Sequence, residues 1–487
     1  MPMKNSRVYF TLYTLGFVTL SPTYAQDTYT LHQALQRVVD THPLLHSAEL
    51  QIERSKLESN RVESQLGFQT NGQAGYNHDV SLFGAPSDRI EGAANLERGL
   101  ANGGRIGASA NYIYENNDFS FSPLLPNPSH TVKFDVNYRL PILKGAGNPN
   151  YNQGLIAARL GVNTATTSRA SLRDQLARQA LDLYFALSGT LARLENTHQA
   201  IDRAKRLKVY IQRNVELGLL EEKDILQVEA QLRAQTADQQ AFTVIKTQQR
   251  IALNRLMGLP SDAPVNTHLD EDDKRDEALS DNAVMLEVEK NNPDLLRLDA
   301  RINLAETVIA RNRDAKNDQF DVVVTGGVRS KNGDSTLGTV NEQDWAGGVR
   351  VEYRRAIDKR GVDAELAQAI LDRSIAIQDL QATKSDLHYT VSSLLAELRA
   401  ARSALDAVRL RLNSEKQKLE EAEKRYRTGR ADTTQLIQFE SDLYFTQFAV
   451  EQQRIELARR SAILELLRGK IWDAVIPAVS DSRGNKQ

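Results

Sequence analysis

Residues 218–232 read GLLEEKDILQVEAQL, and residues 429–443 repeat the same pattern as GRADTTQLIQFESDL. A glycine, an apolar pair, a glutamine, a glutamate and a leucine occupy matching positions, and no gap is needed to align them. The register extends further along the chain, to Leu253 and Leu464 and to Gly258 and Gly469. Because self-similarity at a fixed spacing is the signature of a repeated structural unit, the chain is predicted to be internally duplicated.

The duplication also extends upstream, where His42-Pro43 corresponds to Asn292-Pro293. Proline is favoured at the first position of a helix, because its missing N–H would have no partner there. Each half is therefore predicted to contain a helix, strands, a long helix, a turn at the glycine and a returning helix. The first half is the longer one, and the excess falls in its strand region.

Two long stretches lack proline, one between Pro149 and Pro260 and one between Pro293 and Pro477. Both are rich in Leu, Ala, Gln, Glu, Arg and Lys, which favour helices. Apolar residues in the second stretch are spaced alternately by four and three, with Glu415 off pattern, at Leu387, Val391, Leu394, Leu398, Ala401, Leu405, Val408, Leu412, Leu419, Ala422 and Tyr426. This spacing predicts the seam of a coiled coil.

The predicted helices are too long for a globular domain. Those over residues 151–216 and 362–427 would each reach roughly 100 Å at about 1.5 Å per residue. The returning helices, over 220–257 and 431–468, would reach only about 58 Å, so the helices after the two prolines would have to complete the distance. A rod of this length needs neighbouring rods to cover its apolar seam. We therefore expect a cylinder built by several copies of the chain.

Between the helical stretches the hydrophobic period changes to two. Apolar residues alternate with polar ones in four segments, at Ile106, Ala108, Ala110, Tyr112 and Tyr114; at Val132, Phe134, Val136, Tyr138 and Leu140; at Phe320, Val322, Val324 and Val328; and at Trp345, Val349, Val351 and Tyr353. Strands of about 10 residues with one apolar face are typical of transmembrane β-barrels, although a half-buried soluble sheet is the commoner source of a single such strand. Because lipid does not tolerate an open sheet edge, several chains are expected to share one barrel.

The number of strands per chain stays open between four and six. Asn102-Gly103-Gly104 lies between two alternating segments, near 89–100 and 105–115, and Asn-Gly in this setting is a hairpin signal. Six strands are favoured; the alternative is that the extra hairpin lies outside the membrane.

The N-terminus predicts export. Lys4 and Arg7 precede an apolar stretch over 8–20, and Thr23-Tyr24-Ala25 offers small residues for cleavage after Ala25. The apolar stretch is shorter than the roughly 20 residues of a membrane-spanning helix. We therefore expect a signal peptide.

Composition argues against several functions. The chain has 487 residues, a formal charge of −2 and no cysteine, which leaves no bulk attraction to nucleic acid and no thiolate chemistry. His42 and His46 have the spacing of zinc ligands but lack a third ligand, so a helix cap and a surface histidine are the favoured interpretation. The glycine-rich segment from Gly99 to Gly107 lacks a nucleotide-binding lysine. We expect no enzyme activity, no metal and no cofactor.

Taken together, these features resemble the TolC-like outer-membrane efflux family over nearly the whole mature chain. The resemblance rests on the duplicated plan, the proline helix starts, the turn glycines Gly218 and Gly429, and residues 140–147 (LPILKGAG), which resemble the family's Pro-Leu-Leu-Arg-Gly segment. It implies a mixed, internally duplicated TolC-type fold, with a long antiparallel coiled-coil α-helical tunnel and a transmembrane β-barrel shared by a trimer.

The resemblance further implies a function. A homotrimer in contact with outer-membrane lipid of a Gram-negative bacterium, its tunnel in the periplasm, would serve as the passive exit duct of a tripartite efflux or type I secretion system. A periplasmic adaptor and an inner-membrane transporter of RND, ABC or MFS type would open it. The main alternative, a periplasmic coiled-coil adaptor or structural protein, explains the heptads but not the duplicated amphipathic strands. A secreted enzyme is a remote alternative.

Two sets of residues follow from the resemblance. Adaptor docking is expected at the helix turns, at Val215, Gly218, Leu219, Tyr426, Thr428, Gly429 and Arg430. Family members often carry acidic rings six and nine residues after the second turn glycine, where this chain has Gln435 and Gln438; the first repeat has Asp224 and Gln227 there. Asp224 is therefore the hypothetical source of an acidic periplasmic constriction.

The predicted organisation has five parts: a signal peptide (1–25), a first repeat (26–260) with strands in 69–141, a linker (261–277), a second repeat (278–470) with strands in 319–355, and a C-terminal tail (471–487).

Overall fold

A computed structural model describes residues 27–80, 86–118, 125–268, 280–428 and 430–475. The predicted signal peptide, turn residue Gly429, most of the predicted linker and most of the predicted tail lie outside these residues.

The first half of the chain follows the order helix, strands, long helix, returning helix. Its elements are β1 (Asp27–Tyr29), α1 (Leu31–Thr41), α2 (Pro43–Glu63), a short 3-10 helix (Ser64–Leu66), β2 (Phe68–Val80), β3 (Pro86–Gly99), β4 (Arg105–Asn117), β5 (Ser129–Pro141), α3 (Pro149–Glu216) and α4 (Glu222–Leu256).

The second half repeats this order with two strands in place of four. Its elements are β6 (Val265–Thr267), α5 (Asp281–Asn291), α6 (Pro293–Ala315), β7 (Gln319–Ser335), β8 (Gly338–Arg354), α7 (Arg360–Arg427), α8 (Thr433–Arg468) and α9 (Ile471–Val475). The long helices α3 and α7 each have 68 residues. Among the described residues, no helix has both the length and the apolar character needed to cross a membrane.

The proline pairs begin helices α2 and α6. His42 Nδ1 accepts a hydrogen bond from the Leu44 N–H at 3.3 Å, and Asn292 Oδ1 accepts from the Asp294 and Leu295 N–H groups at 3.0 and 3.1 Å. The capping role predicted for His42 is therefore confirmed.

Six strands form one antiparallel sheet in the order β2-β3-β4-β5-β7-β8, so the structure has six strands where the sequence left four or six open. The Asn102-Gly103-Gly104 segment joins β3 to β4 as predicted, and Gly103 has a φ of +85°. A separate parallel pair joins β1 to β6, and β6 lies within the predicted linker. Sequence periodicity did not reveal this pair, because three-residue strands are too short to carry a pattern.

The chain forms two compact units. The turn unit combines the described residues of Met1–Val38, Ala180–Asp276 and Ala401–Arg459, and the sheet unit combines those of Val39–Gln179, Glu277–Ala400 and Arg460–Gln487. Each unit contains residues from both sequence repeats, because α3 and α7 contribute to both.

The predicted coiled-coil seam of α7 is buried along most of its length. Val391, Leu405 and Leu419 are among its buried residues, and only Val408 and Leu412 remain half-buried. The off-pattern Glu415 is also half-buried, and its carboxylate pairs with Lys418 Nζ at 2.5 Å. This ion pair offsets the cost of placing a charge on an apolar seam.

Candidate functional site: helix turns and an exposed apolar sheet face

The strand register gathers the alternating apolar residues on one face of the sheet. Phe134 is opposite Val328, which is in turn opposite Trp345. Directly opposed residues in neighbouring strands lie on the same face. The other predicted apolar positions follow the same register, at Ile106↔Tyr138, Ala108↔Val136, Tyr138↔Val324 and Val324↔Val349.

This apolar face is exposed in the single chain. Trp345 is 78% exposed and Val349 is 71% exposed. The other large exposed apolar residues of this face are Phe68, Tyr76, Val80, Ile90, Leu96, Ile106, Tyr112, Phe134, Val136, Val324, Val328, Val351 and Tyr353. A contiguous exposed apolar surface marks an interaction with a membrane or with another protein.

The opposite face of the sheet is polar. One row across the strands contains Asn71, Asn95, Ser109 and Asp135. Another part of this face holds an ion network, in which Arg139 contacts Asp321 at 3.3 Å and Glu352 at 2.9 Å. The sheet therefore separates an apolar face from a polar face suited to water.

Both edges of the sheet are open among the described residues. The edge strands β2 and β8 have 13 and 17 residues, and each pairs on one side only. Long unpaired edges offer backbone donors and acceptors to another chain. A single chain therefore leaves both its apolar face and its sheet edges unsatisfied.

In the turn unit, α3 ends in a Schellman motif centred on Gly218. The Gly218 N–H donates to the Val215 carbonyl at 2.9 Å, and the Leu219 N–H donates to the Asn214 carbonyl at 2.8 Å. Gly218 has a φ of +70°, a left-handed conformation that costs side-chain-bearing residues about 1–2 kcal/mol. The glycine ends the helix and fixes the course of the turn.

The second turn closes with the equivalent backbone hydrogen bond. The Arg430 N–H donates to the Arg425 carbonyl at 2.8 Å, just as Leu219 donates to Asn214. Thr428 N–H also donates to the Arg425 carbonyl, at 3.2 Å. The two repeats thus close the ends of their long helices with the same type of backbone hydrogen bond.

The four constriction candidates lie in the first two turns of the returning helices. Asp224 Oδ2 accepts the Glu221 N–H at 3.1 Å, and the Gln435 N–H donates to Asp432 Oδ1 at 2.6 Å. Asp224 and Gln435 therefore occupy equivalent third positions of α4 and α8. The side chains of Gln227 and Gln438 also form hydrogen bonds: Gln227 accepts from Thr434 at 3.3 Å, and Gln438 donates to Asp442 at 2.9 Å.

The residues predicted for adaptor docking divide by exposure. Gly218, Leu219, Thr428 and Arg430 are exposed. Val215 is half-buried against the apolar cluster of the turn unit, which consists of Ile211, Val228, Leu419, Ala422, Tyr426, Leu436 and Leu443. Tyr426 is buried within that cluster, and its hydroxyl hydrogen-bonds Thr433 Oγ1 at 2.9 Å. Val215 and Tyr426 thus contribute to the apolar packing next to the turns.

Sequence reasoning missed one exposed residue of the first turn. Leu217 precedes Gly218 and is 64% exposed. The sequence repeat could have identified it, because Leu217 aligns with Thr428, a residue predicted for adaptor docking.

The sequence also did not predict the ion pairs that join the returning helices α4 and α8 to α3. The repeated glutamates Glu229 and Glu440 both pair with bases of α3: Glu229 with Lys208 at 2.8 Å, and Glu440 with Arg203 at 2.7 Å. Burial raises the pKa of Glu440, while the Arg203 guanidinium opposes that shift. The repeat marked both acids, but their bases occupy unrelated positions in the sequence.

Asp442 gives a pH-dependent prediction. Lys418 Nζ lies 2.8 Å from Asp442 Oδ2, and this hydrogen bond lowers the pKa of the carboxyl. A lowered pKa stabilises the folded state above the ordinary aspartate range and ceases to do so as pH falls through the folded-state value. Asp442→Asn should therefore lower the unfolding midpoint at about pH 7, and the difference from wild type should shrink below about pH 4. Thermal unfolding across this range would measure it; a deficit constant with pH would contradict it.

Among the described residues, no group of three or more histidine, aspartate or glutamate side chains is arranged to hold a metal ion.

Comparison with known proteins adds evidence for the fold. No protein-family model and no curated protein matches the chain. Solved structures do match it, including CusC, for which the TM-score is 0.66, the sequence identity 14%, and the match covers 91% of each chain.

Two further matches come from named organisms. The outer-membrane protein VceC of Vibrio cholerae has a TM-score of 0.64 at 14% identity, with 91% of this chain and 95% of that chain covered. The open state of the MtrE outer-membrane channel of Neisseria gonorrhoeae has a TM-score of 0.64 at 16% identity, with 91% and 89% covered. These matches confirm the TolC-type fold predicted from the sequence.

Proposed function

We propose that three copies of this chain form an outer-membrane channel, which serves as the passive exit duct of a tripartite efflux or type I secretion system. In this proposal the six-stranded sheets of the copies join into one transmembrane barrel, and the helices form a tunnel in the periplasm of a Gram-negative bacterium. The predicted signal peptide would direct the chain to that compartment.

The observation that carries the proposal is the exposed apolar face on a sheet with two open edges. Lipid can cover the apolar face, but it cannot satisfy unpaired backbone groups at the edges. Pairing each β2 with the β8 of another copy would satisfy both edges and close the sheets into a barrel whose apolar face contacts lipid. The polar face would then line a water-filled interior, as in outer-membrane barrels.

The helix turns are the proposed docking site for a periplasmic adaptor, which would connect the duct to an inner-membrane transporter. Gly218, Leu219, Thr428 and Arg430 are exposed there on backbones fixed by hydrogen bonds. Energy for transport would come from the transporter, because the sequence offers no nucleotide-binding motif.

We further propose that Asp224 provides the acidic charge of the periplasmic constriction. Its carboxylate is half-exposed while it accepts the Glu221 N–H, so it remains able to act on passing ions. Asp224→Asn keeps an oxygen acceptor for the helix cap and removes the charge. We expect this variant to lose most of the cation preference of single channels, whereas Gln435→Asn should leave the preference unchanged. Equal ion selectivity in Asp224→Asn and wild type would reject the assignment.

Planar-bilayer recording tests the proposed function itself. The full-length protein, extracted from outer membranes and added to a lipid bilayer, should produce discrete conductance steps. A periplasmic adaptor or structural protein, the main alternative, would be recovered without detergent and would give no conductance steps.

A further inference from the structure

The two helix turns share one type of backbone hydrogen bond but carry different side chains. The N–H groups of Leu219 and Arg430 close the same type of hydrogen bond onto the preceding helix, at 2.8 Å in both cases. The sequence repeat aligns Leu217 with Thr428 and Leu219 with Arg430. The first turn therefore presents two leucines where the second presents a threonine and an arginine.

The fold does not need the two leucines. In a Schellman motif, the residue after the glycine often packs on an apolar residue at the helix end, but here that position holds the polar Asn214. Leu217 and Leu219 remain 64% and 69% exposed. The second turn forms its equivalent hydrogen bond without any leucine, so it acts as an internal control for the structural role of these side chains.

The charges around the turns differ as well. Glu216 and Glu222 flank the leucines, and neither has a basic partner within ion-pair distance among residues 27–80, 86–118, 125–268, 280–428 and 430–475. Arg430 of the second turn likewise has no acidic partner within that part of the chain. The first turn thus presents an apolar surface flanked by acidic side chains, and the second presents a cationic side chain.

We propose that the two turns bind chemically different surfaces of the docking partner, and that the leucine pair is the main anchor. Leu217 and Leu219 would enter an apolar socket with a basic rim, and Arg430 would contact a carboxylate. This inference rests on the proposed function, since it takes the periplasmic adaptor as the occupant. Interfaces concentrate binding energy in a few desolvated anchors, while charges at a hydrated rim contribute less and are screened by salt.

Other occupants fit the charges less well. An anionic lipid surface attracts lysine and arginine, whereas these leucines are flanked by glutamates. A second copy of the same turn, meeting it about a twofold axis, would bring like charges together. An adaptor socket with a basic rim meets both the apolar and the acidic character of the turn.

Exchange of side chains between the two turns tests the inference. The variant Leu217→Thr/Leu219→Arg gives the first turn the side chains of the second, and Arg430→Gln removes the cation of the second. Leu286→Thr is the matched control, because Leu286 on α5 is also 69% exposed but lies outside the turns. Each full-length protein would be purified in detergent, and its affinity measured for each purified periplasmic adaptor of the host at low and high salt.

We expect the leucine exchange to weaken adaptor binding at least about tenfold at both salt concentrations, as for a lost interface anchor. Arg430→Gln should weaken binding by a smaller factor, and only at low salt. Leu286→Thr should bind like wild type. Binding of the leucine exchange within about twofold of wild type, equal losses in Leu286→Thr, or an absence of adaptor binding by wild type would each overturn the proposal.

Two further measurements identify the other occupants and separate this inference from the proposed function. Leucine-dependent binding to phosphatidylglycerol vesicles would reassign the first turn to lipid, and leucine-dependent self-association in sedimentation would reassign it to a second copy; either result overturns the proposal. Conductance in planar bilayers should be the same in wild type and Leu286→Thr. Missing conductance in wild type would instead count against the proposed function.

Discussion

Lysine in place of Val136 is expected to reduce assembly in the outer membrane at least about tenfold, whereas lysine at the adjacent Asn137 is expected to be tolerated. Val136 is 54% exposed near the middle of β5, and its neighbours across the sheet are Ala108 and Gly326. These small neighbours leave room for a longer side chain. Any effect of the substitution would therefore come from its charge on the apolar face.

The expected size of this effect follows from lipid exposure. A lysine near the bilayer midplane on the outside of a barrel costs about 2–4 kcal/mol, and each of three copies would carry one. Asn137 is exposed on the polar face, so lysine there would remain in water. Immunoblots of assembled oligomer in outer-membrane fractions should show at least a tenfold loss for Val136→Lys alone. Equal assembly of the two lysine variants would contradict a lipid-facing role for the apolar face.

Arg203→Leu is expected to destabilise the turn unit by about 3–5 kcal/mol, because it leaves a buried carboxylate without its base. The side chains of Arg203 and Glu440 are only 17% and 12% exposed, and their charged atoms lie 2.7 Å apart. The double variant Arg203→Leu/Glu440→Leu should recover most of this loss, since it removes both charges. Denaturant midpoints of wild type and the two variants would measure both effects.

This defect should also depend on pH. Burial raises the pKa of Glu440, and removal of Arg203 eliminates the guanidinium charge that opposes this rise. A carboxyl with a raised pKa destabilises the folded state increasingly as pH rises through the folded-state value. The Arg203→Leu deficit should therefore be larger at about pH 8 than at about pH 5, and the double variant should lack this dependence. A double variant as unstable as the single one would show that the charge is not the cause.

The regular parts of the fold were predictable because apolar residues recur at short, fixed spacings along each helix and strand. Alternating spacings of four and three residues identified the α7 seam, and Val391 and Leu405 are buried as that pattern requires. A period of two identified the strands around Phe134 and Val349, whose apolar residues share one face. Both signals depend only on which residues recur along one element.

The features that were not predictable depend on contacts between distant parts of the chain. No local pattern pairs Arg203 with Glu440, because the two lie on different helices. The exposure of a turn residue likewise depends on packing. Tyr426 and Leu219 were predicted together for adaptor docking, yet Tyr426 is buried over Thr433 while Leu219 extends into solvent. The short β1–β6 pair leaves no periodic signal at all.

The most direct test of the central claim is the mass of the particle that carries this chain in the outer membrane. Because the sheet has two open edges and an exposed apolar face, the chain should require detergent for extraction and should yield a particle containing three copies. Native mass spectrometry of the extracted protein would count them. A monodisperse monomer, soluble without detergent after natural export, would contradict the account.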